Sequence, residues 1–527
     1  MSADGLLSRR RFLHLVGAVG GSTAVYQAAL GLGLTPQVQP MRRPDLAPLA
    51  RAGSKSVVIL GAGIAGLTAA YELSRKGYEV TVLEASHRVG GRNLTVRGGD
   101  LVDEIGQPQI CRFDRDPDLY FNAGPARIPG HHASLLSYCR EFGVQLAPFV
   151  NDNRNAWVQD DSMLGGQRIR NREYMADARG FMAELMAKSL KAEQLDRPFT
   201  ATDHGRLLEF LRQFGELDPQ FRYRSATRAG LVSYDYTQPE PHRTPIDFKE
   251  LLQSRFMYLM SFGEADDQAA MMMEPVGGMD RIVAGFMSKI SSLVQTRAIV
   301  QSVRLQENGV EIVYARNDSK RTIHADFCLN SIPTQLLAGL EHNFPADYSG
   351  CFSAIPRGKL FKIGLQARER FWEREGIYGG ISWTMQDILQ IWYPAHGIHR
   401  DKGILLGAYT FDDASGDRFA RLTHAQRVEL ALQQGEKVHP GYREHIENGI
   451  SICWHRMNHM LGCSAQWDES LQSQWFKRAQ APIGNHYLIG DQVSYHPGWQ
   501  EGAIHSAFHA ISDIDRRVRG MATVVAA

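Results

Sequence analysis

The run Val57-Val58-Ile59-Leu60-Gly61-Ala62-Gly63-Ile64-Ala65-Gly66 leaves this chain little choice of architecture. Its apolar half suits a short parallel strand buried on both faces, and it passes straight into a glycine turn. Residues 67–76 read as a helix that stops at Gly77, and Glu79–Leu83 reads as a second strand ending at Glu84. In such a βαβ start Gly61 permits the tight turn, Gly63 lets the backbone approach a pyrophosphate, and Gly66 lets helix and strand pack closely. The helix then offers unpaired N–H groups and the positive end of its dipole, with Ala62, Ile64 and Ala65 around them. Glu84 follows Gly61 by 23 residues, next to Ala85, where a carboxylate can accept both ribose hydroxyls. The glycine pattern alone is weak, but the complete strand–turn–helix–strand–acid series predicts a dinucleotide site, with ordered structure beginning at Lys55.

Composition widens the frame without changing it. At 527 residues the chain has room for two or three domains. With 43% hydrophobic and 22% charged residues it matches ordinary globular proteins. A net charge of +1 points away from nucleic acid and anionic membranes as partners. Six dispersed cysteines lack paired metal spacing, and His455 and His459, four residues apart, lack the carboxylate of a metalloprotease pattern, so no metal is expected. His131-His132 is a candidate for the pocket entrance.

The first fifty residues read as a targeting segment. Ser8-Arg9-Arg10-Arg11-Phe12-Leu13 opens an apolar Gly/Ala-rich run from 13 to about 34, and a Pro-rich spacer with small residues at Ala50 and Ala52 follows. The opening resembles the twin-arginine signals of bacteria, which carry folded, cofactor-loaded proteins, and it implies a periplasmic or secreted product. A basic N-terminal arm is the alternative. No other segment is long and apolar enough to span a bilayer, so stable membrane insertion is not expected.

Gly90-Gly91-Arg92 follows closely on Glu84-Ala85 and returns a flexible backbone and an arginine to the same pyrophosphate. The whole segment "VVILGAGIAGLTAAYELSRKGYEVTVLEASHRVGGR" resembles the amine oxidase family of flavoproteins. The likeness continues in "MMMEPVGGMDRIVAGF" (271–286), "TRAIVQSV" (296–303) and "YLIGDQVSYHPGWQEGAIHSAFHAI" (487–511), in the family's order. It implies that the backbone of Val300 meets the adenine. It also implies that Gly490 and Asp491 bind the phosphate–ribityl arm, and that Gly498, Trp499 and Ala503 lie along the isoalloxazine. Ala507 departs from the family's usual glycine.

Gly124-Pro125-Ala126-Arg127-Ile128-Pro129, with Arg140-Glu141-Phe142-Gly143 after it, resembles the L-amino acid oxidase branch of that family. By this likeness Gly124, Pro125, Ala126 and Arg127 flank the flavin, and Arg127 grips a substrate α-carboxylate in a bidentate pair. The alternative for Arg127 is a salt bridge within its loop. The tyrosine that completes the grip matches Tyr393 in Trp392-Tyr393-Pro394; a core aromatic on an apolar strand is the alternative, and Trp392 could face the site instead. Lys362 lies ten residues before Trp372, where the family holds a lysine and its water beside the flavin; a solvent-facing strand lysine is the alternative. Cys463 follows Trp454 by nine residues, the spacing of flavin-bonding cysteines in monoamine oxidases, but the surrounding motif differs and a packing residue beside non-covalent FAD is expected.

The expected fold is α/β: a Rossmann-type FAD-binding domain, a mixed-sheet substrate-binding domain and a helical subdomain. The layout is a signal and spacer (1–52), FAD-binding segments (53–110, 272–348, 480–520), substrate-binding segments (111–159, 349–479) and the helical subdomain (160–271), with helix-like periodicity over 172–225. The resemblance implies FAD-dependent oxidative deamination of L-amino acids by dioxygen to a 2-oxo acid, ammonia and hydrogen peroxide. Arg127 and Tyr393, with Trp392 and Gly498, would fix the substrate, and Trp499 would wall the site. A charged Lys362 would assist the reaction with dioxygen. An amide-forming amino acid 2-monooxygenase, an exported dehydrogenase passing electrons to a quinone, and a non-catalytic flavin-binding protein are the other readings. The expected partners are the amino acid and dioxygen, and the assembly a homodimer.

Overall fold

The computed structural model describes residues 42–49, 54–189, 200–231, 237, 243–254 and 259–520. The arginine-rich opening and apolar run of the N-terminal segment lie outside these residues. Residues from Asp45 onward form one compact unit.

Its first layer is a five-stranded parallel sheet in the order Val294–Gln295, Glu79–Leu83, Ser56–Leu60, Phe327–Asn330, His486–Leu488. The apolar run at 57–60 is central and buried throughout, because successive side chains feed different cores. Val57 and Ile59 join the helices Ile64–Ser74, Asp280–Ile290 and Gln500–Val518 on one face. Val58 and Leu60 pack on the other against an antiparallel sheet built from Ile299–Gln306, Gly309–Arg316 and Ser319–Ala325. The sheet thus gathers strands spread across more than four hundred residues, and the ends of its strands open on one cleft. This is a Rossmann-type layer.

The second layer is a seven-stranded mixed sheet: Arg168–Arg170, Trp157–Gln159, Gly380–Thr384, Gln390–Tyr393, Gly403–Thr410, Phe361–Ala367, Ile446–Cys453. Only the contact between Gly380–Thr384 and Trp157–Gln159 is parallel. Its two faces also serve different cores. Trp392, Ile450 and Ile452 face the core cluster on the cleft side, whereas Phe361, Ile363, Tyr393 and Leu405 face away. Arg168–Arg170 falls inside the stretch assigned from sequence to the helical subdomain, yet it pairs with Trp157–Gln159 and is sheet. The helices proper are Asn171–Ser189, Ala201–Gly215, Phe248–Gln253 and Leu259–Phe262. Thr200 and Asp203 form a reciprocal capping box that starts the second of these. Among the described residues, no helix is long and apolar enough to cross a membrane.

Candidate active site

A cleft of about 1630 Å³, measured with its open mouth, runs from the glycine turn to the mixed sheet. Each glycine of the turn meets a different constraint. Gly61 has φ +98°, and a Cβ there would stand 2.3 Å from Ser331 Oγ; a Cβ on Gly66 would stand 2.0 Å from the Gly61 carbonyl oxygen. A Cβ on Gly63 would meet no protein atom within 4 Å, because Gly63 borders the cleft. Gly63 gives the helix Ile64–Ser74 no side-chain cap, and its first turn holds no acidic residue. The positive end of that helix therefore opens to the cleft, as a phosphate requires. Glu84 is buried at the end of its strand. Its carboxylate accepts from the Ala62 N–H (2.7 Å) and the Ser86 N–H (2.8 Å), which aims it along the cleft wall beside Ala85.

Further along, Arg92 and Asp491 form a two-pronged ion pair. Asp491 also accepts from the Gly498 N–H (2.7 Å), and Arg92 donates to the Cys463 carbonyl (2.9 Å). Burial opposes ionisation of Asp491, but Arg92 and Arg357 hold its carboxyl below the usual range. Arg357, which sequence reasoning missed, donates to the Cys463 carbonyl (2.6 Å) and to Gln492 Oε1 (3.1 Å). Asp491 pairs with Arg92 and acts on Arg357 only through space, leaving a surplus of positive charge on the cleft wall that suits a pyrophosphate. Burial and the nearby Arg92 push Arg357 down to about 10. Val300 lines the cleft at the point where its strand slips register with Gly309–Arg316, between Val300 and Ser302. Gly91, Gly124, Pro125, Gly490, Gly498, Trp499, Ala503 and the half-buried Cys463 line the same cleft. Ala62, Gly66 and Ala126 do not line it but pack behind it. These residues fit a flavin dinucleotide.

At its inner end the cleft is walled by Tyr409, Trp454 and Trp499. Lys362 and Tyr409 are paired across neighbouring strands and so point to one face, and Lys362 Nζ lies 4.6 Å from the Tyr409 ring centre. Lys362 is buried and donates to the Gly124 carbonyl (2.6 Å). Burial first, and Arg127 second, push it down to about 7. The solvent-facing alternative is thereby removed. Gly124 permits this arrangement because a Cβ there would stand 1.8 Å from the Arg92 carbonyl oxygen.

Arg127 lies in a layer just behind that wall. Its guanidinium is 4.6 Å from the Trp392 ring centre and 5.9 Å from that of Trp499. It donates to the neutral Gln268 Oε1 (2.6 Å), while its buried Nε has no partner among the described residues. Burial lowers its pKa, offset in part by Tyr409 and Asp267. Neither Arg127 nor Lys362 has a carboxylate within 4.0 Å among the described residues. Asp267, the acid acting on Arg127 from further away, is engaged with His131 and His132. Among the described residues, the loop salt bridge considered for Arg127 is not formed.

Tyr393 requires a correction. It is buried in the opposite core, where its hydroxyl donates to Ser382 Oγ (2.6 Å) and meets His439 Nε2 (2.5 Å). Strand alternation sends Trp392 toward Arg127 and Tyr393 away from it. The tyrosine at the cleft is Tyr409, whose ring stands 5.3 Å from that of Trp392. Gln268 was missed as well, since 141 residues separate it from Arg127 and no motif marks it. His132 packs edge-on against Trp499 at 5.1 Å, although neither of the two adjacent histidines lines the cleft itself.

Residues 64–514 match the description "flavin containing amine oxidoreductase". The L-amino-acid oxidase of Naja atra is 25% identical over 482 residues, which cover 88% of this chain and 88% of that protein. The flavin-dependent L-tryptophan oxidase of Lentzea aerocolonigenes is 27% identical over 493 residues, 88% of this chain and 98% of that one. Among solved structures, wild-type putrescine oxidase bound to putrescine superposes with a TM-score of 0.60 at 17% identity, over 88% of this chain and 99% of the other. Cyclohexylamine oxidase from Brevibacterium oxydans gives 0.59 at 16% identity, over 88% and 100%. With a match that covers residues 64–514, well over half of its length, this chain belongs to the flavin-containing amine oxidoreductase family.

Proposed function

We propose that the chain oxidatively deaminates L-amino acids, with FAD bound in the cleft and dioxygen as the final electron acceptor, giving a 2-oxo acid, ammonia and hydrogen peroxide. The observation that carries this reading is Arg127: a half-buried arginine whose Nε is shut from solvent, its guanidinium near Trp392 and Trp499 and hydrogen-bonded to a neutral amide and not, among the described residues, to an acid. A buried cation without an anion is costly, and a substrate carboxylate supplies the missing charge in the bidentate geometry that guanidinium favours.

Bound FAD supplies a two-electron acceptor for the hydride of the substrate Cα. Gly61, Gly63, Gly66, Glu84 and Arg92 serve its ADP half, and Asp491, Gly498, Trp499 and Ala503 its remaining length. The protein's own part is positioning, which can contribute several kcal/mol to a barrier. Arg127 exchanges Gln268 Oε1 for the carboxylate, and the indoles of Trp392 and Trp499 restrict the plane in which it is held. Arg127 and Lys362 then disfavour an ammonium in the same chamber, so the substrate amine is driven toward its neutral, reactive form. Hydrolysis of the resulting imino acid needs only water. A simple alkylammonium substrate would meet the Arg127 guanidinium here and, among the described residues, no carboxylate within 4.0 Å of Arg127 or Lys362 to receive it, which favours amino acids over the substrates named for the structural relatives.

Arg127→Ala tests this reading. Loss of a charge-assisted pair worth about 1.5–3 kcal/mol should lower kcat/KM for the preferred L-amino acid by about tenfold or more. The matching decarboxylated amine, assayed by peroxide release, should lose far less. Equal losses on both substrates would reduce Arg127 to a structural residue and end the proposal.

A further inference from the structure

His131, His132 and Asp267 hold neither cofactor nor substrate in the reading above, yet they converge. His131 Nε2 lies 3.1 Å and His132 Nε2 3.3 Å from Asp267 Oδ1, and all three donor atoms fall within 4.8 Å of one another. The two imidazoles stand edge to face, 4.8 Å apart at 88°. A second carboxylate, Asp266, lies 3.6 Å from His131 Nε2. No other group of three such donors occurs among the described residues. Sequence could not mark it, because the carboxylate is 135 residues from the second histidine.

We propose that these three side chains bind a divalent transition-metal ion of the zinc or cobalt class at the rim of the substrate chamber. Tetrahedral ligands at metal distances of about 2.0–2.1 Å stand about 3.3 Å apart, close to both histidine–aspartate separations. Closing the ring needs only a modest rotation of His131, whose side chain is 44% exposed and leaves the ion a path from solvent. His132 is the fixed ligand, buried and packed on Trp499. Two imidazoles and one carboxylate suit zinc-like ions and not calcium or magnesium, which take all-oxygen shells.

The site has a consequence for the proposed reaction, and this part rests on the amino acid oxidase reading. Asp267 adjoins Gln268, which holds Arg127, and the Gln268 carbonyl accepts from Asn151 (2.9 Å). The turn itself is closed by bonds from the Gln268 and Ala269 N–H groups to the Ala265 carbonyl. An ion joining Asp267 to the histidine loop fixes this turn and keeps Gln268 on Arg127, in competition with the substrate carboxylate.

The test uses the flavin-loaded full chain, stripped with EDTA and dialysed. Zinc affinity is measured by calorimetry and by competition with a chromophoric chelator. One equivalent of zinc should bind, and His131→Ala and Asp267→Asn should each weaken it by about 10–100-fold or more. His324→Ala, on an exposed strand, should not. Melting temperatures of the variants without metal verify that they fold. Zinc binding that is absent, or unaltered in both site variants, overturns the site. In steady-state assays zinc should raise KM for the amino acid with little change in kcat, and His131→Ala should abolish that effect. Stoichiometric zinc binding with an unchanged KM overturns the link through Gln268, and because calorimetry needs no substrate, the metal site is decided even if no amino acid is oxidised.

Discussion

At Lys362 burial decides the charge. The lysine is anchored on the Gly124 carbonyl, and its depression to about 7 makes protonation a variable within the working range of most enzymes. The cationic form is the protonated one, so it is present below about 7 and is lost as pH rises through that value. If the cation assists reoxidation by dioxygen, the rate constant in stopped-flow experiments should fall as pH rises through about 7. Lys362→Met should be slow and flat across the same range, with anaerobic reduction much less affected. A wild-type rate independent of pH, or normal oxygen reactivity in Lys362→Met, would take the lysine out of that step. Tyr393 makes the converse prediction. Tyr393→Phe removes a buried hydroxyl engaged by Ser382 and His439, and should cost about 1–3 kcal/mol of stability in denaturant unfolding. KM for the amino acid should stay unchanged. These two residues also mark the limit of sequence reading. Alternation tells that Trp392 and Tyr393 face opposite ways, but which face meets the cleft depends on strands brought together from distant sequence.

Among elements, the glycine turn is the most legible in sequence, since its constraints are local. Gly61 and Gly66 are required by protein atoms and Gly63 by the ligand's approach, because a Cβ at Gly63 would enter open space in the cleft. Gly63→Val should therefore fold with a near-normal apoprotein melting temperature, yet purify with little flavin by absorbance ratio. Gly66→Val meets the Gly61 carbonyl at 2.0 Å and should lower the melting temperature of the apoprotein itself. Identical behaviour of the two variants would refute this division of roles. The mixed sheet is far less legible. Its order places Trp157–Gln159 beside Gly380–Thr384, a parallel contact bridging more than two hundred residues that no local pattern encodes. Arg168–Arg170 merges with the helical stretch in sequence for a related reason: three residues carry too little periodicity to declare a strand. The Arg127 loop is likewise secured from afar, because Glu501 on the closing helix accepts from the N–H groups of Ser134 and Leu135 at the start of the next helix.

For the molecule as a whole, strand order bears on biogenesis. Ser56–Leu60 is flanked by Glu79–Leu83 and Phe327–Asn330, and the sheet is completed by His486–Leu488. The far wall of the cleft, Gly490 to Ala503, is also made last. A flavin can therefore be fully enclosed only after nearly all of the chain has been synthesised and folded. Once bound it stabilises by RT ln(1 + [L]/Kd), about 2.7 kcal/mol at a hundredfold excess over Kd, and threading the chain across a membrane unfolded would forfeit that gain. Such a protein, if exported, suits a route that carries folded cargo, and Ser8-Arg9-Arg10-Arg11-Phe12-Leu13 before an apolar run resembles the twin-arginine signal of such a route. We predict that replacing Arg9 and Arg10 together by lysine, which keeps charge and hydropathy, retains the protein in the cytoplasm of a bacterial host. Lysates of those cells should hold flavin-loaded enzyme with undiminished activity, because the substitutions lie far from the cleft in sequence and leave residues 45–520 untouched. Fractionation that finds the double variant outside the cytoplasm as abundantly as the parent would exclude this route and favour the alternative in which the arginines are only a basic arm.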